Sequence, residues 1–199
     1  YYDNALIKIY DIPVFYAPKL SHPDPTVKRR SGFLVPSFED TNNLGEGISI
    51  PYFWAINKDK DFTLTNKLYA SENPLFLGEY RQDLKNSNLI FDFGYTDGYK
   101  KTSLSKVSGK KNHFFSKFIR NFYNAEKNSE STLLITTQDS NNDKYFKLYK
   151  INSELINNEI DTLENSIDFT YSNDEIFFGF NASMYETLKS GYNDKYEYI

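Results

Sequence analysis

Cysteine is absent from this chain of 199 residues, and histidine, tryptophan and methionine are scarce. Without cysteine the chain can form no disulfide and no thiolate metal site of its own. The two histidines, His22 and His113, lie in unrelated sequence contexts, and we interpret each as a surface or structural residue. We therefore expect neither a bound metal nor a cofactor.

Long apolar runs and a basic surplus are missing as well. No stretch approaches the roughly 20 apolar residues that a membrane-spanning helix needs. Acidic residues outnumber basic ones, 27 to 23, so we expect no nucleic-acid partner. The first residues carry no signal-peptide pattern and do not begin with Met, so we expect a piece of a longer protein with its targeting sequence upstream.

Catalytic motifs are also lacking. The chain has no HExxH, phosphate-binding loop, GxGxxG or GxSxG pattern, and its carboxylates are scattered. Pairing any two of them as acid and base would be arbitrary. We predict that the chain is not an enzyme and has no catalytic residues.

Aromatic residues are abundant, with 17 Tyr and 17 Phe, and apolar residues alternate with polar ones. One face of a predicted strand carries Ile48, Ile50, Tyr52 and Trp54, and runs of about ten residues recur between Asn-, Asp- and Ser-rich turns. This pattern predicts an all-β fold of antiparallel up-and-down strands. The segment Tyr145 to Ile156 is the exception and predicts a short loop helix or a distorted strand. Alternation is typical of both a transmembrane barrel and a soluble β-sandwich.

Proline is concentrated at the beginning of the chain, where six of the seven prolines fall within the first 51 residues. Proline has no backbone N–H and cannot complete a β-ladder. The cluster indicates either an extended linker at a domain boundary or a seam in a sheet that must open. These prolines are Pro13, Pro18, Pro23, Pro25, Pro36 and Pro51.

A basic run at Lys28, Arg29 and Arg30 leaves three interpretations open. It can be a solvated turn between strands. It can contact phosphates of a glycolipid or a membrane surface, since arginine binds phosphate in a planar fork. It can equally pair with carboxylates inside a barrel.

Several ordered segments resemble the LPS-assembly protein LptD (OstA) family. They read IPVFYAP at 12–18, KRRSGFLVPSF at 28–38, PYFWAIN at 51–57, DFTLT at 61–65 and GEYR at 78–81. The resemblance implies a large outer-membrane β-barrel, preceded by the last strand of a periplasmic β-jellyroll. Residues 1–25 would be the end of the jellyroll and the hinge, and residues 26–199 the N-terminal portion of the barrel.

The resemblance also implies a function in lipopolysaccharide transport, with insertion into the outer leaflet through a lateral opening of the barrel. Implied partners are lipopolysaccharide, an outer-membrane lipoprotein plug (LptE-like), a periplasmic jellyroll bridge protein (LptA-like) and outer-membrane lipid. The N-terminal end would face the periplasm. By position, the candidates for the lateral gate or hinge are Pro13, Pro18, Pro36 and Pro51.

This sequence departs from the family in one respect, because known members often carry cysteines that link the periplasmic domain to the barrel. Two other functions remain open. A soluble β-sandwich that binds lipid or carbohydrate would use the aromatic residues as core and stacking platform. Another outer-membrane barrel, such as a porin or receptor, would share the strand rhythm but not the proline-rich segment 28–38.

Overall fold

The computed structural model describes residues 2–9, 12–20, 29–41, 44–98, 109–189 and 196–198. Most of them lie in antiparallel strands, so the predicted all-β fold class is confirmed. The elements are β1 (Tyr2–Ile9), β2 (Ile12–Leu20), β3 (Gly32–Phe33), β4 (Ser37–Thr41), β5 (Gly45–Asn57), β6 (Lys60–Tyr69), β7 (Leu75–Leu84), β8 (Ser87–Thr96), β9 (Lys111–Asn124), β10 (Ser129–Ser140), α1 (Tyr145–Tyr149), β11 (Thr162–Ser172), β12 (Phe177–Thr187) and β13 (Tyr196–Tyr198).

The strands form two sheets. β1 and β2 pair with each other, and β3 to β13 form the large sheet. In the large sheet, β5 to β13 are neighbours in chain order, and β3 and β4 both pair with β5 at the first edge. The predicted up-and-down order is therefore confirmed. Within the described residues the large sheet is not closed, and its edges are β3–β4 and β13.

Alternation gives the large sheet one apolar and one polar face. Phe62 on β6 is opposite both Trp54 on β5 and Tyr80 on β7, and Tyr80 is opposite Phe91 on β8. A second row places Phe93 opposite Phe114. Trp54 is half exposed, as are many of the other rings on this apolar face. The predicted one-sided set of 48, 50, 52 and 54 is confirmed.

The connection between β10 and β11 covers part of the polar face and contains the single described helix, α1. The predicted segment from Tyr145 to Ile156 is thus a short helix followed by irregular chain rather than a distorted strand. Lys150 ends the helix in the left-handed conformation, with φ 47°. The core beneath this cover consists of Leu44, Tyr69, Leu75, Phe115, Tyr145, Phe146, Tyr149, Ile151, Ile156, Leu163 and Leu188.

The predicted domain boundary near residue 25 falls in a part of the chain that the structure does not describe. The division into residues 1–25 and 26–199 therefore stays a prediction. Among the described residues, no helix combines the length and apolar character needed to cross a membrane.

Candidate functional site

The first edge of the large sheet is a strand in two pieces, β3 and β4, separated by residues 34–36. Phe33 is opposite Tyr52, and Ser37 is opposite Ser49. The edge strand thus advances four residues while β5 advances three, so one extra residue is inserted as a bulge. Pro36 lies in this interruption, immediately before β4. A bulge disrupts the ladder locally and leaves a residue unpaired.

Pro51 weakens the same junction from the other side. The backbone N–H of Leu34 donates to the Pro51 carbonyl at 2.9 Å. In an antiparallel ladder such a pair would exchange two hydrogen bonds. Pro51 has no N–H to return, so the pair forms only one of them. Two of the predicted gate prolines, Pro36 and Pro51, therefore meet at one interrupted junction.

The other two predicted gate prolines lie in the β1–β2 sheet. Ile7 pairs with Phe15, and Lys8 pairs with Pro13, so β2 carries one extra residue next to Pro13. Pro18 also lies within β2. The structure thus divides the four candidates between two sheets, and their role in a gate stays a prediction. Pro23 and Pro25 lie outside the described residues.

The basic run is only partly described, since Lys28 lies outside the described residues. Arg29 forms an ion pair with the buried carboxylate of Asp61, and its guanidinium lies 5.5 Å from the centre of the Phe53 ring. Arg81 also binds Asp61, with Nε 3.0 Å from Oδ1. Of the three interpretations of this run, carboxylate pairing is the one that Arg29 shows. Arg30 is exposed.

A second ion pair joins the edge strand to β6. Lys67 is buried, and its Nζ donates to Glu39 Oε1 at 2.7 Å. The same Nζ donates to the carbonyl oxygens of Tyr149 at 3.1 Å and Lys150 at 3.4 Å. One ammonium group on β6 therefore contacts both β4 and the end of α1.

His113 is a buried structural residue, as expected for a histidine without ligand spacing. Its Nε2 lies 3.0 Å from Asp92 Oδ1, and its ring packs against Phe115, Tyr145 and Phe146. Burial raises the pKa of Tyr145, so its hydroxyl stays neutral. His22 lies outside the described residues. Among the described residues, no three His, Cys, Asp or Glu side chains form a group that could hold a metal ion.

Sequence reasoning missed the polar-face network, although its signal was present. Asp61 and Lys67 lie at period-two positions with Thr63 and Thr65 between them, and this spacing predicts that they share the face opposite Phe62. The partners of these charges could not be predicted. Arg29 is 32 residues from Asp61, and Glu39 is 28 residues from Lys67.

Comparison with curated proteins finds relatives described as LPS-assembly protein LptD. The chain is 41% identical to the LPS-assembly protein LptD of Nitrosococcus oceani over 78 residues, which are 39% of this chain and 10% of that protein. It is 28% identical to LptD of Francisella tularensis subsp. holarctica over 195 residues, covering 93% of this chain and 20% of the relative. LptD of Psychrobacter cryohalolentis is 35% identical over 83 residues, which are 42% of this chain and 8% of that protein.

These matches confirm the predicted resemblance: the chain is similar to LptD proteins, over about 40% of its length in two of these relatives and over 93% in the third. It spans about a fifth or less of the length of these relatives. A scan against protein-family models finds no match.

Proposed function

We propose that this LptD-like chain is part of an outer-membrane protein that assembles lipopolysaccharide at the cell surface. The large sheet would be one part of a barrel wall, with its apolar face toward lipid and its polar face toward the lumen. The N-terminal end would face the periplasm. Residues 1–25 would be the end of a periplasmic jellyroll, and residues 26–199 would be barrel.

The exposed apolar face supports a membrane location for the sheet. Rings at half-exposed positions, among them Trp54, Phe76, Phe93 and Phe114, recur from strand to strand. A water-facing sheet would place polar residues there. In a barrel, alternation of apolar outward and polar inward residues is expected. This argues for a barrel over the alternative of a soluble β-sandwich that binds lipid or carbohydrate.

The observation that carries the lateral opening is the interrupted edge at Pro36 and Pro51. Backbone groups in lipid must be paired within the protein, so a missing ladder bond destabilises a barrel wall. A seam that must open gives a functional reason for this loss of stability. The edge strand β3–β4 would be one side of the opening, and Pro13 and Pro18 would belong to the hinge before it. The function of a porin or a receptor does not require an interrupted edge strand, so this feature does not favour those alternatives.

In this proposal, lipopolysaccharide enters from a periplasmic bridge protein of the jellyroll type and a lipoprotein plug occupies the lumen. The chain would supply walls and a seam, with no catalytic step. Lys28, Arg29 and Arg30 remain candidates for contacts with phosphate or the lumen, and the pair of Arg29 with Asp61 lies on the face that would line the lumen.

The test is the replacement Pro51→Ala in the complete protein. Alanine supplies the N–H that can donate to the Leu34 carbonyl, and one added hydrogen bond is worth about 0.5–1.5 kcal/mol. We expect lipopolysaccharide to reach the surface about 2- to 10-fold more slowly, measured by pulse labelling and surface extraction. Pro74→Ala, in the turn before β7, is the matched control. Equal export rates in the Pro51 variant, the control and the unchanged protein would contradict the proposal.

A further inference from the structure

Lys67 is a polar-face residue whose partners lie far apart in the chain. Its Nζ binds Glu39 on the edge strand and the carbonyl oxygens of Tyr149 and Lys150 at the end of α1. An ammonium group has three donors, and these three acceptors satisfy all of them. The arrangement is therefore complete only when the edge strand and α1 are both in place.

The bridge from Lys67 to Glu39 passes over β5 and needs small residues there. Neighbouring strands lie about 4.8 Å apart, so a contact across two spacings requires two long side chains over a low surface. Ser49 is opposite Lys67 on β5, and Gly47 is opposite Glu39. A Cβ added to Gly47 would lie 2.8 Å from the Tyr69 ring. The Tyr69 ring therefore fills the space over Gly47, and the small side chain of Ser49 gives the low surface beside Lys67 over which the ion pair forms.

The end of α1 presents its carbonyl groups to Lys67 because of the conformation of Lys150. The last carbonyl groups of a helix have no partner within it. Lys150 has φ 47° and closes the helix in the left-handed conformation, and its side chain is exposed. The Lys67 ammonium group donates to the carbonyl oxygens of Tyr149 and Lys150, which have no partner within the helix.

The edge strand depends on this contact more than an interior strand would. Its ladder to β5 is interrupted at residues 34–36 and loses one bond at Pro51. By contrast, the ladder between β9 and β10 is continuous from Ser129 to Ser140. The ion pair at Glu39 therefore contributes a larger share of the attachment of β4.

We propose that Lys67 is a positioning residue that couples the edge strand to the segment 145–160, so that undocking of either one loosens the other. Cargo or a partner that displaces α1 from the polar face would thereby release the edge strand. This inference rests on the proposed function of that edge as one side of a lateral opening. The coupling itself can be measured without transport.

The edge side is tested with Glu39→Gln in the complete protein in lipid nanodiscs, by hydrogen exchange of backbone amides. A charge-assisted hydrogen bond is worth more than a neutral one, so its loss should lower protection in α1 by about tenfold. The amides to follow are those of Leu148 and Ile151, which bond to Lys144 and Phe146. Faster exchange confined to β4, with α1 unchanged, would overturn the coupling.

The helix side is tested with two substitutions of one exposed residue. Lys150→Val places a β-branched residue at positive φ and strains the helix end, whereas Lys150→Gly removes the same side chain and tolerates that conformation. We expect faster exchange in Ser37–Thr41 for the valine variant and no change for glycine. Equal exchange of β4 in both variants would overturn the proposal.

Surface lipopolysaccharide in the same variants separates this inference from the proposed function. Coupled exchange with a changed export rate supports both. Coupled exchange with unchanged export supports the role of Lys67 and counts against the edge as an exit. Uncoupled exchange together with slower export in Pro51→Ala contradicts the role of Lys67 and leaves the proposed function supported.

Discussion

On the apolar face of the large sheet, rings lie next to rings on neighbouring strands, whereas on the polar face the buried charges of Asp61 and Lys67 have specific partners. Phe91 contacts Tyr80, which is opposite it on β7, and Phe114, which lies diagonally across on β9. On the other side, Asp61 is held by Arg29 and Arg81. The first arrangement tolerates exchange of one ring for another. The second depends on individual residues.

The difference follows from how the two kinds of interaction vary with geometry. Apolar burial is non-directional and roughly proportional to area. A buried charge needs a partner at hydrogen-bond distance, and removal of that partner leaves an uncompensated charge. We therefore expect single substitutions to have larger effects on the polar face. Three substitutions test this comparison, in decreasing order of expected effect.

The largest effect is expected for Lys67→Met, which keeps the length of the side chain and removes its charge. Glu39 and two carbonyl groups lose their donor, and breaking a buried ion pair by removing one partner typically costs about 3–5 kcal/mol. We expect the free energy of unfolding to fall by about 3 kcal/mol, the lower end of that range, since Glu39 is partly exposed. Urea unfolding in detergent measures it. A loss no larger than that of an apolar-face substitution would contradict the comparison.

An intermediate effect is expected for Gly78→Ala on the apolar face. The Phe93 ring lies directly over Gly78, so an added methyl group must displace it. Overpacking of this kind costs about 1–3 kcal/mol. The control is Gly179→Ala, where an added Cβ lies 3.6 Å from Phe177 and meets no clash. There we expect a gain of about 0.5 kcal/mol. Equal unfolding free energies of the two variants would show that the ring moves freely.

The smallest effect is expected at the exposed ion pair between Asp161 and Lys189, whose closest atoms are 2.8 Å apart. The hydrogen bond from Lys189 lowers the pKa of Asp161 from its ordinary value of 3.8. A carboxylate with a lowered pKa stabilises the folded state at pH values above its ordinary pKa. This contribution is lost as the pH falls through the lowered pKa. NMR titration of the Asp161 carboxyl carbon should give a midpoint below 3.8. A midpoint at or above that value would contradict the pairing.

Asp161→Asn is the counterpart of Lys67→Met in this comparison. Exposed ion pairs contribute little because water and salt screen them. We therefore expect no measurable change in the urea midpoint for Asp161→Asn. A loss of stability as large as that caused by Lys67→Met would mean that burial does not decide the strength of these ion pairs.

Strand positions could be predicted from the sequence to a useful degree because alternation is a local signal. The face shared by residues 48, 50, 52 and 54 is confirmed, and so is the up-and-down order. The segment after Ser140 was harder, because its apolar spacing fits both a helix and a strand. Its packing against Leu75 and Phe115 across the sheet decided the outcome.

The candidate site could be predicted only in part. Pro36 and Pro51 were identifiable because a missing N–H is a property of the residue itself. Their meeting at one junction depends on the register of β3, β4 and β5, which shifts by one residue there. No sequence pattern gives the position of that bulge. Nor does any sequence pattern show that Arg29 pairs with Asp61 rather than with a phosphate.

The sequence by itself determined the period-two faces, the turns, the missing backbone donors and the likeness to LptD, since each of these is carried by residue identity and spacing along the chain. Only the tertiary structure decided which charges meet. Lys67 reaches Glu39 and the end of α1 because strand register and the fold of segment 141–161 place distant residues within a few ångströms. Such contacts depend on the relative position of whole elements, which local spacing does not encode.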